Sequence, residues 1–483
     1  MIWLALLTIT LLPQTDDLDL LKSRLRSDRS DVRAAAIRRL GEMNRLEATQ
    51  LLPDLLLDPN AYVRDTCFVT LGKIDDGPAV DYLINEGMRR GESQIKVSLA
   101  EWADTTRPPG GAPGLLRLLK DRSPAVRLAA AEALARIGDP SVAADLEKAL
   151  REKDGGVRAR MLLAFARLAP EMASKRVRKG LSHRHWQIRV AAVIAAGNCL
   201  EGAEAVEAGR DALRDKAWPV RAAAIELLRD SKNRSAVEPL IAALEMKGRL
   251  GEDAYQALMR LTGMDLPPEA DLWLRWWALQ EDSFRPAESG PKGDSPRKTR
   301  TALRYHGVPV VSRRIAFILD RSGSMRDPLE KGGRGTKFEF ARKELSRVID
   351  ELPEKALFNI YFYSDEVSSW KKRATPAHRQ SRLEARSFLD RQRAKGYTNL
   401  YGALVAGLDD LEVDTIYLLS DGGPSRGDVI FTERILHRVG RRNRIRRVVI
   451  HTIDTGSSRW HQAYLLKELA KGSGGRYFRL HEE

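Results

Sequence analysis

Apolar positions follow two different rules along this chain, and the change of rule divides it. Through the first half they recur at three and four residues, the period of one helical face. In Ala125-Val-Arg-Leu-Ala-Ala-Ala-Glu-Ala-Leu-Ala-Arg-Ile-Gly138, residues Val126, Ala129, Ala130, Ala133, Leu134 and Ile137 form a single apolar stripe. Pro124 suits the first helical turn and Gly138 the stop. A shorter helical run, Gly114–Lys120, precedes it across the turn Asp121-Arg-Ser-Pro124. From Arg313 onward, apolar residues come instead in short unbroken runs such as Ile315-Ala-Phe-Ile-Leu319 and Thr415-Ile-Tyr-Leu-Leu419. Such runs suit buried parallel strands.

The helical half repeats itself. A β-branched residue followed by a base recurs as Val32-Arg33, Val63-Arg64, Ile95-Lys96, Val126-Arg127, Val157-Arg158, Ile188-Arg189 and Val220-Arg221, at spacings of 31, 32, 31, 31, 31 and 32. A degenerate eighth copy spans Gly251 to Leu261. One helical hairpin cannot bury its stripe alone, so stacked hairpins must share a core, which predicts an α-solenoid over residues 16–280. The phrases Asp31-Val-Arg-Ala-Ala-Ala-Ile-Arg-Arg-Leu-Gly41 and Pro219-Val-Arg-Ala-Ala-Ala-Ile-Glu-Leu-Leu228 resemble HEAT repeats of the short bacterial, PBS-lyase HEAT-like kind, over about Leu18 to Met264. That resemblance implies an armadillo-like superhelix serving as a protein-binding scaffold, without lyase activity. The recurring bases invite a phosphate-binding reading, but pairing with an acidic or carbonyl group of the neighbouring unit explains their recurrence more simply. Trp273, Trp276 and Trp277 share one helical face and are expected to close the open end of the array. Residues 281–308, rich in Pro, Gly and charge, read as a flexible linker.

In residues 309–483 strands and helices alternate. Strands are expected at 315–319, 356–363, 415–419, 448–453 and 476–480, and helices at 337–352, 379–393, 400–411, 429–439 and 462–470. This predicts a doubly wound, mostly parallel α/β sheet, whose ligands bind beyond the carboxyl ends of the strands. Three pieces of sequence converge there: Asp320-Arg-Ser-Gly-Ser-Met325 after the first core strand, Thr398 in Gly396-Tyr-Thr-Asn399, and Asp421 after the strand at 415–419. Asp320, Ser322, Ser324, Thr398 and Asp421 offer only oxygen, which suits a hard cation, Mg²⁺ or Mn²⁺. Two carboxylates and three hydroxyls leave room for water and one outside ligand, and leave the ion poorly neutralised. It should therefore attract an Asp or Glu of a partner. The pattern D-x-S-x-S, then T, then D resembles the metal-ion-dependent adhesion site of von Willebrand factor type A domains, which have a Rossmann-like sheet, over roughly Val310 to Leu480. The resemblance implies that the serines and threonine ligate directly and that the aspartates often act through water. Arg321, Arg326 and Arg334 beside the motif are a departure that biases the rim toward acidic ligands or weakens metal binding.

Composition and charge add less. The net charge is +15, and 33 Lys and Arg against 23 Asp and Glu in residues 309–483 put most of that excess in the second unit, notably in Arg434 to Arg447. Such a field favours acidic partners. Two cysteines, Cys67 and Cys199, fall in the second and sixth repeats, too far apart for a disulfide, and are expected as buried free thiols. The apolar run Met1 to Leu12, followed by Pro13-Gln-Thr-Asp-Asp17, fits a secretory signal over residues 1–15 and is too short to span a bilayer. The combined expectation is an exported, non-enzymatic scaffold with one partner at the metal and a second on the solenoid. Two other readings stay open: an accessory type A subunit of an AAA-type ATPase or metal chelatase, and a basic nucleic-acid binder. No phosphate-cradling glycine loop, H-E-x-x-H or G-x-S-x-G supports an enzyme.

Overall fold

The computed structural model describes residues 18–89, 91–287, 303–328, 335–456 and 460–480. The expected signal at 1–15 and the middle of the expected linker lie outside the described residues.

Residues 18–280 form paired helices stacked into a solenoid. The helix expected after Asp121 runs Pro124–Ile137 and ends on Gly138, whose φ of +78° is the left-handed conformation that glycine adopts without strain. Val126, Ala129, Ala130, Ala133 and Leu134 are all buried in the shared core. Four of the seven anchor bases form a ladder. Arg33 bonds Asp58 of the next unit through two nitrogens at 2.7 and 2.8 Å, and Lys96–Asp121, Arg127–Glu152 and Arg189–Asp215 repeat the pairing. The same guanidinium reaches back to carbonyls of its own turn, as Arg127 does to Asp121 at 2.9 Å. These bases are therefore structural, and are not a phosphate ladder. Trp273 and Trp277 are buried at the end of the stack, with Trp276 half-buried against them and Phe284 packed edge-on 5.1 Å from Trp277. Cys67 is buried, whereas Cys199, at the last position of its helix, is only half-buried, a correction to the expectation of two fully buried thiols.

The second unit is built on six principal strands: β1 (Arg314–Asp320), β2 (Leu357–Tyr363), β3 (Val367–Ser369), β4 (Thr415–Ser420), β5 (Val449–Asp454) and β6 (Tyr477–Arg479). Their order is β3-β2-β1-β4-β5-β6, parallel except for β3 at the edge, and a short seventh strand, Thr375–Pro376, also pairs antiparallel with β2. The order reverses between β1 and β4, so a crevice opens beyond the carboxyl ends of these two strands. Alternate residues of β1 serve two cores. Ile315, Phe317 and Leu319 face the helix Lys337–Glu351, while Ala316 and Ile318 belong to an apolar core that continues into the solenoid. Residues 303–308, assigned to the linker by composition, instead belong to this unit. Arg304–Tyr305 and Val308–Pro309 form a hairpin that buries Tyr305 against Phe317 and Tyr417.

The two units are clamped together by buried charge. The helix expected at 429–439 starts later, at Thr432, and continues through Gly440 to Arg446. A mid-helix glycine costs roughly 0.5–1 kcal/mol relative to alanine, and the bases beyond it find acids on the solenoid. Glu101 accepts from Arg438 at 2.7 Å and from Arg441 at 3.0 Å, with Arg434 at 3.5 Å. Arg441 also pairs with Glu132, Arg447 with Glu226, and His437 lies 2.7 Å from Asp104. The arginine run read as a free basic surface is thus largely the contact between the units, and the observation that favoured nucleic acid is accounted for internally.

Burial alone would raise the Glu101 carboxyl, but Arg438, Arg441 and Arg434 pull it down to about 2. A carboxyl lowered from its ordinary value of 4.5 contributes stability that is complete above that value and is lost as pH falls through the folded one. Full-chain stability in urea should therefore drop between pH 4.5 and about 2, and less steeply in Glu101→Gln; identical profiles would show that Glu101 carries none of it. Trp273→Ala should cost about 3–5 kcal/mol in the same assay.

Candidate metal centre

The ends of β1 and β4 place the two carboxylates. Asp320 is the last residue of β1 and is fully buried; its Oδ1 accepts the Ser322 backbone N–H at 2.8 Å and its Oδ2 accepts the Ser420 hydroxyl at 2.8 Å. The chain then turns back tightly, with Gly323 N–H donating to the Gly396 carbonyl at 2.9 Å, which draws the segment holding Thr398 against the motif. Ser322 Oγ and Ser324 Oγ stand 3.1 Å apart, and Ser324 donates to Asp421 Oδ1 at 2.8 Å. Thr398 is buried, and its backbone is held by Ser425: the Thr398 N–H donates to Ser425 Oγ at 3.0 Å and its carbonyl accepts from Ser425 N–H at 3.0 Å. Gly422 closes the ring. A methyl group added there would meet Ser324 Oγ at 3.5 Å and Thr398 Oγ1 at 3.8 Å. All five sequence-predicted residues therefore converge, with Ser324 the exposed member at the mouth.

Two bases at the rim behave differently from expectation. Arg321 turns away, donating to Gln392 at 3.0 Å, so it does not cover the hydroxyls. Arg326 stays exposed and, among the described residues, donates to the Gly323 carbonyl, and Arg334 lies outside the described residues. Lys337 was not singled out in the sequence. It opens the helix Lys337–Glu351, is buried, and donates to Asp421 Oδ2 at 2.9 Å and toward the Gly456 carbonyl at 3.4 Å. Nothing in the local sequence marks it, since its partner is 84 residues away. Ser420 was also missed; it lies next to Asp421 and shares Asp320.

The electrostatics fit a cation. Burial, with a further push from Asp421, raises the Asp320 carboxyl to about 6. A carboxylate so disfavoured gains from any nearby positive charge. Lys337 supplies one, on the Asp421 side. The hydroxyls of Ser322, Ser324 and Thr398 are neutral oxygen donors of the kind Mg²⁺ and Mn²⁺ accept.

Comparison with known proteins identifies both units. Residues 313–478 match the von Willebrand factor type A domain, and residues 18–103, 86–166 and 174–259 match HEAT repeats. The chain is a HEAT-repeat array joined to a von Willebrand factor type A domain. It is similar to human inter-alpha-trypsin inhibitor heavy chain H3, 29% identical over 134 residues, covering 25% of this chain and 14% of that protein. It is also similar to human inter-alpha-trypsin inhibitor heavy chain H4, 27% identical over 190 residues, covering 37% of this chain and 19% of that one. The chain thus spans under a fifth of the length of these curated relatives. A solved von Willebrand factor type A protein from Catenulispora acidiphila is 21% identical, covers 35% of this chain and 38% of its own, and has a TM-score of 0.28.

Lys337, paired with Asp421, would repel a cation entering the crevice. Lys337→Met should strengthen Mn²⁺ binding by about tenfold or more, as expected for removing a unit charge a few ångströms away in a partly buried site. Calorimetric titration checks this; weaker binding in the variant would mean that Lys337 organises the type A domain's site more than it competes with the ion.

Proposed function

We propose that this protein is a non-enzymatic scaffold whose type A domain binds Mg²⁺ or Mn²⁺ and, through the ion, a carboxylate of a protein partner. The observation that carries the reading is the convergence of Asp320, Ser322, Ser324, Thr398 and Asp421 on one crevice at the switch point of the sheet. Ser322, Ser324 and Thr398 would hold the ion directly. Asp320 and Asp421 would balance part of its charge, from positions that already accept hydrogen bonds from Ser420, Ser324 and Lys337. The bound ion supplies residual positive charge at the mouth, beside Ser324, and an Asp or Glu side chain of a partner completes the shell there. A second protein partner is proposed for the HEAT array, in keeping with repeat scaffolds that bind along extended surfaces.

We also propose export, on the strength of the apolar run Met1 to Leu12. Among the described residues no helix is long and apolar enough to cross a membrane.

Titration calorimetry on the full chain should show one Mn²⁺ or Mg²⁺ taken up by the wild type and none by Asp320→Ala. That variant should keep cooperative unfolding, with a loss of about 1–3 kcal/mol for the hydrogen bonds it leaves unmade. No uptake by the wild type would end the metal-dependent reading, and equal uptake by the variant would move the ion elsewhere.

A further inference from the structure

The segment that carries Asp421 does not end within its own domain. From Asp421 to Phe431 it first serves the metal site, through Gly422 beside Ser324 and Thr398 and through the backbone bonds of Ser425 and Arg426 to Thr398. It then crosses to the solenoid. The carbonyls of Gly427 and Asp428 accept from Arg64 Nη2 at 3.0 and 3.1 Å. The N–H groups of Ile430 and Phe431 donate to Asp65 Oδ2 at 2.7 and 2.8 Å, and Arg434 binds Asp65 Oδ1. Tyr62 meets the Phe431 ring edge-on at 5.8 Å, and Phe68 lies under the Arg434 guanidinium at 4.1 Å. All four solenoid residues belong to the single helix Ala61–Leu71 of the second repeat.

Two features of the second repeat make this contact. Arg33, Lys96, Arg127 and Arg189 each meet an acid of the next unit, but Arg64 is among the anchor bases with none, the chain having Arg89 and Arg90 at the equivalent positions. With no acid to meet there, Arg64 keeps its Nη1 on the carbonyls of Asp58 and Pro59 and turns its Nη2 to the type A domain. The residue after the anchor base is Ala34, Val97, Leu128, Ala159, Val190 and Ala222 in six units, and Asp65 in the second. A charged group in an apolar column, fully buried, is tolerated only where it is paired. Asp65 is paired by the two N–H groups just before the helix Thr432–Arg446 and by Arg434, so it anchors the entry to that helix from another domain, at the end where the helix dipole favours negative charge.

We infer that Arg64 and Asp65 are positioning residues of the metal site: the second HEAT repeat holds the segment 421–431 in place and thereby sets the affinity for the divalent ion. This rests on the proposed function. Reciprocity then requires that the ion tighten the contact between the units.

The test is Mn²⁺ titration of the full chain with wild type, Asp65→Ala, Arg64→Met, Arg64→Lys and, as a control, Arg33→Met. Arg33 holds the equivalent anchor position in the first repeat, where it pairs with Asp58 and carbonyls of its own turn and not with the segment. Asp65→Ala and Arg64→Met should weaken Mn²⁺ binding about three- to tenfold and speed amide exchange at Ser425 and Arg426 as well as at Ile430 and Phe431. Arg64→Lys should restore affinity, since Lys96 fills the equivalent position in the third repeat. Arg33→Met should lower the melting temperature and leave the dissociation constant unchanged. Folded Asp65→Ala and Arg64→Met proteins with wild-type affinity would overturn the inference alone, whereas no uptake by the wild type would remove the metal reading and this inference with it. Should Asp65→Ala not fold, Arg64→Met decides.

Discussion

Two carboxylates, Asp320 and Asp421, are delivered to one buried corner by the ends of adjacent parallel strands, and positive charge must be found for them. That constraint organises the site. Water is largely excluded, so the acids rely on hydroxyl and amide donors and on Lys337, and the Asp320 carboxyl still stands at about 6. A hard divalent ion held by three hydroxyl oxygens would answer the same need, and because those oxygens are neutral it would retain charge to offer outward.

The corner is held in place from far away. The chain leaving Asp421 is fixed by Thr398 on one side and by the second HEAT repeat on the other, and the helix that follows is locked by Arg438 and Arg441 on Glu101 and by Arg447 on Glu226. Breaking one partner of such a buried pair costs far more than forming the pair contributes, because the remaining charge has nowhere to go. The solenoid and the type A domain are therefore one mechanical body, in which an apolar core runs from one into the other. A partner that engaged the array would act on the same body that shapes the proposed metal site.

The architecture was legible in the sequence where its signal was periodic or contiguous. The repeat anchors, the glycine stop at Gly138, the core runs of β1 and β4 and the five oxygen donors all announce themselves within short windows. Long-range pairing was not legible, because a charge does not name its partner: Lys337, Asp65 and Glu101 each meet theirs across a large stretch of chain. The helix Thr432–Arg446 was read as ending near Gly440 because its stabilising acids lie in another domain. Signals for the contact were nonetheless present in the repeat alignment. Glu101, Glu132 and Glu226 stand at the same offset from their anchors Ile95, Val126 and Val220, and Asp65 interrupts an otherwise apolar column. Comparing equivalent positions between repeats, beyond finding the repeats, would have exposed the acidic stripe that receives the arginines.

The most direct measurement is anomalous scattering from crystals of the full chain grown with Mn²⁺. The account predicts one strong peak within about 2.3 Å of the hydroxyls of Ser322, Ser324 and Thr398, with an outward-facing position left to water or a carboxylate. A map with no peak in that crevice at saturating Mn²⁺, or with the ion bound to other residues, would contradict it.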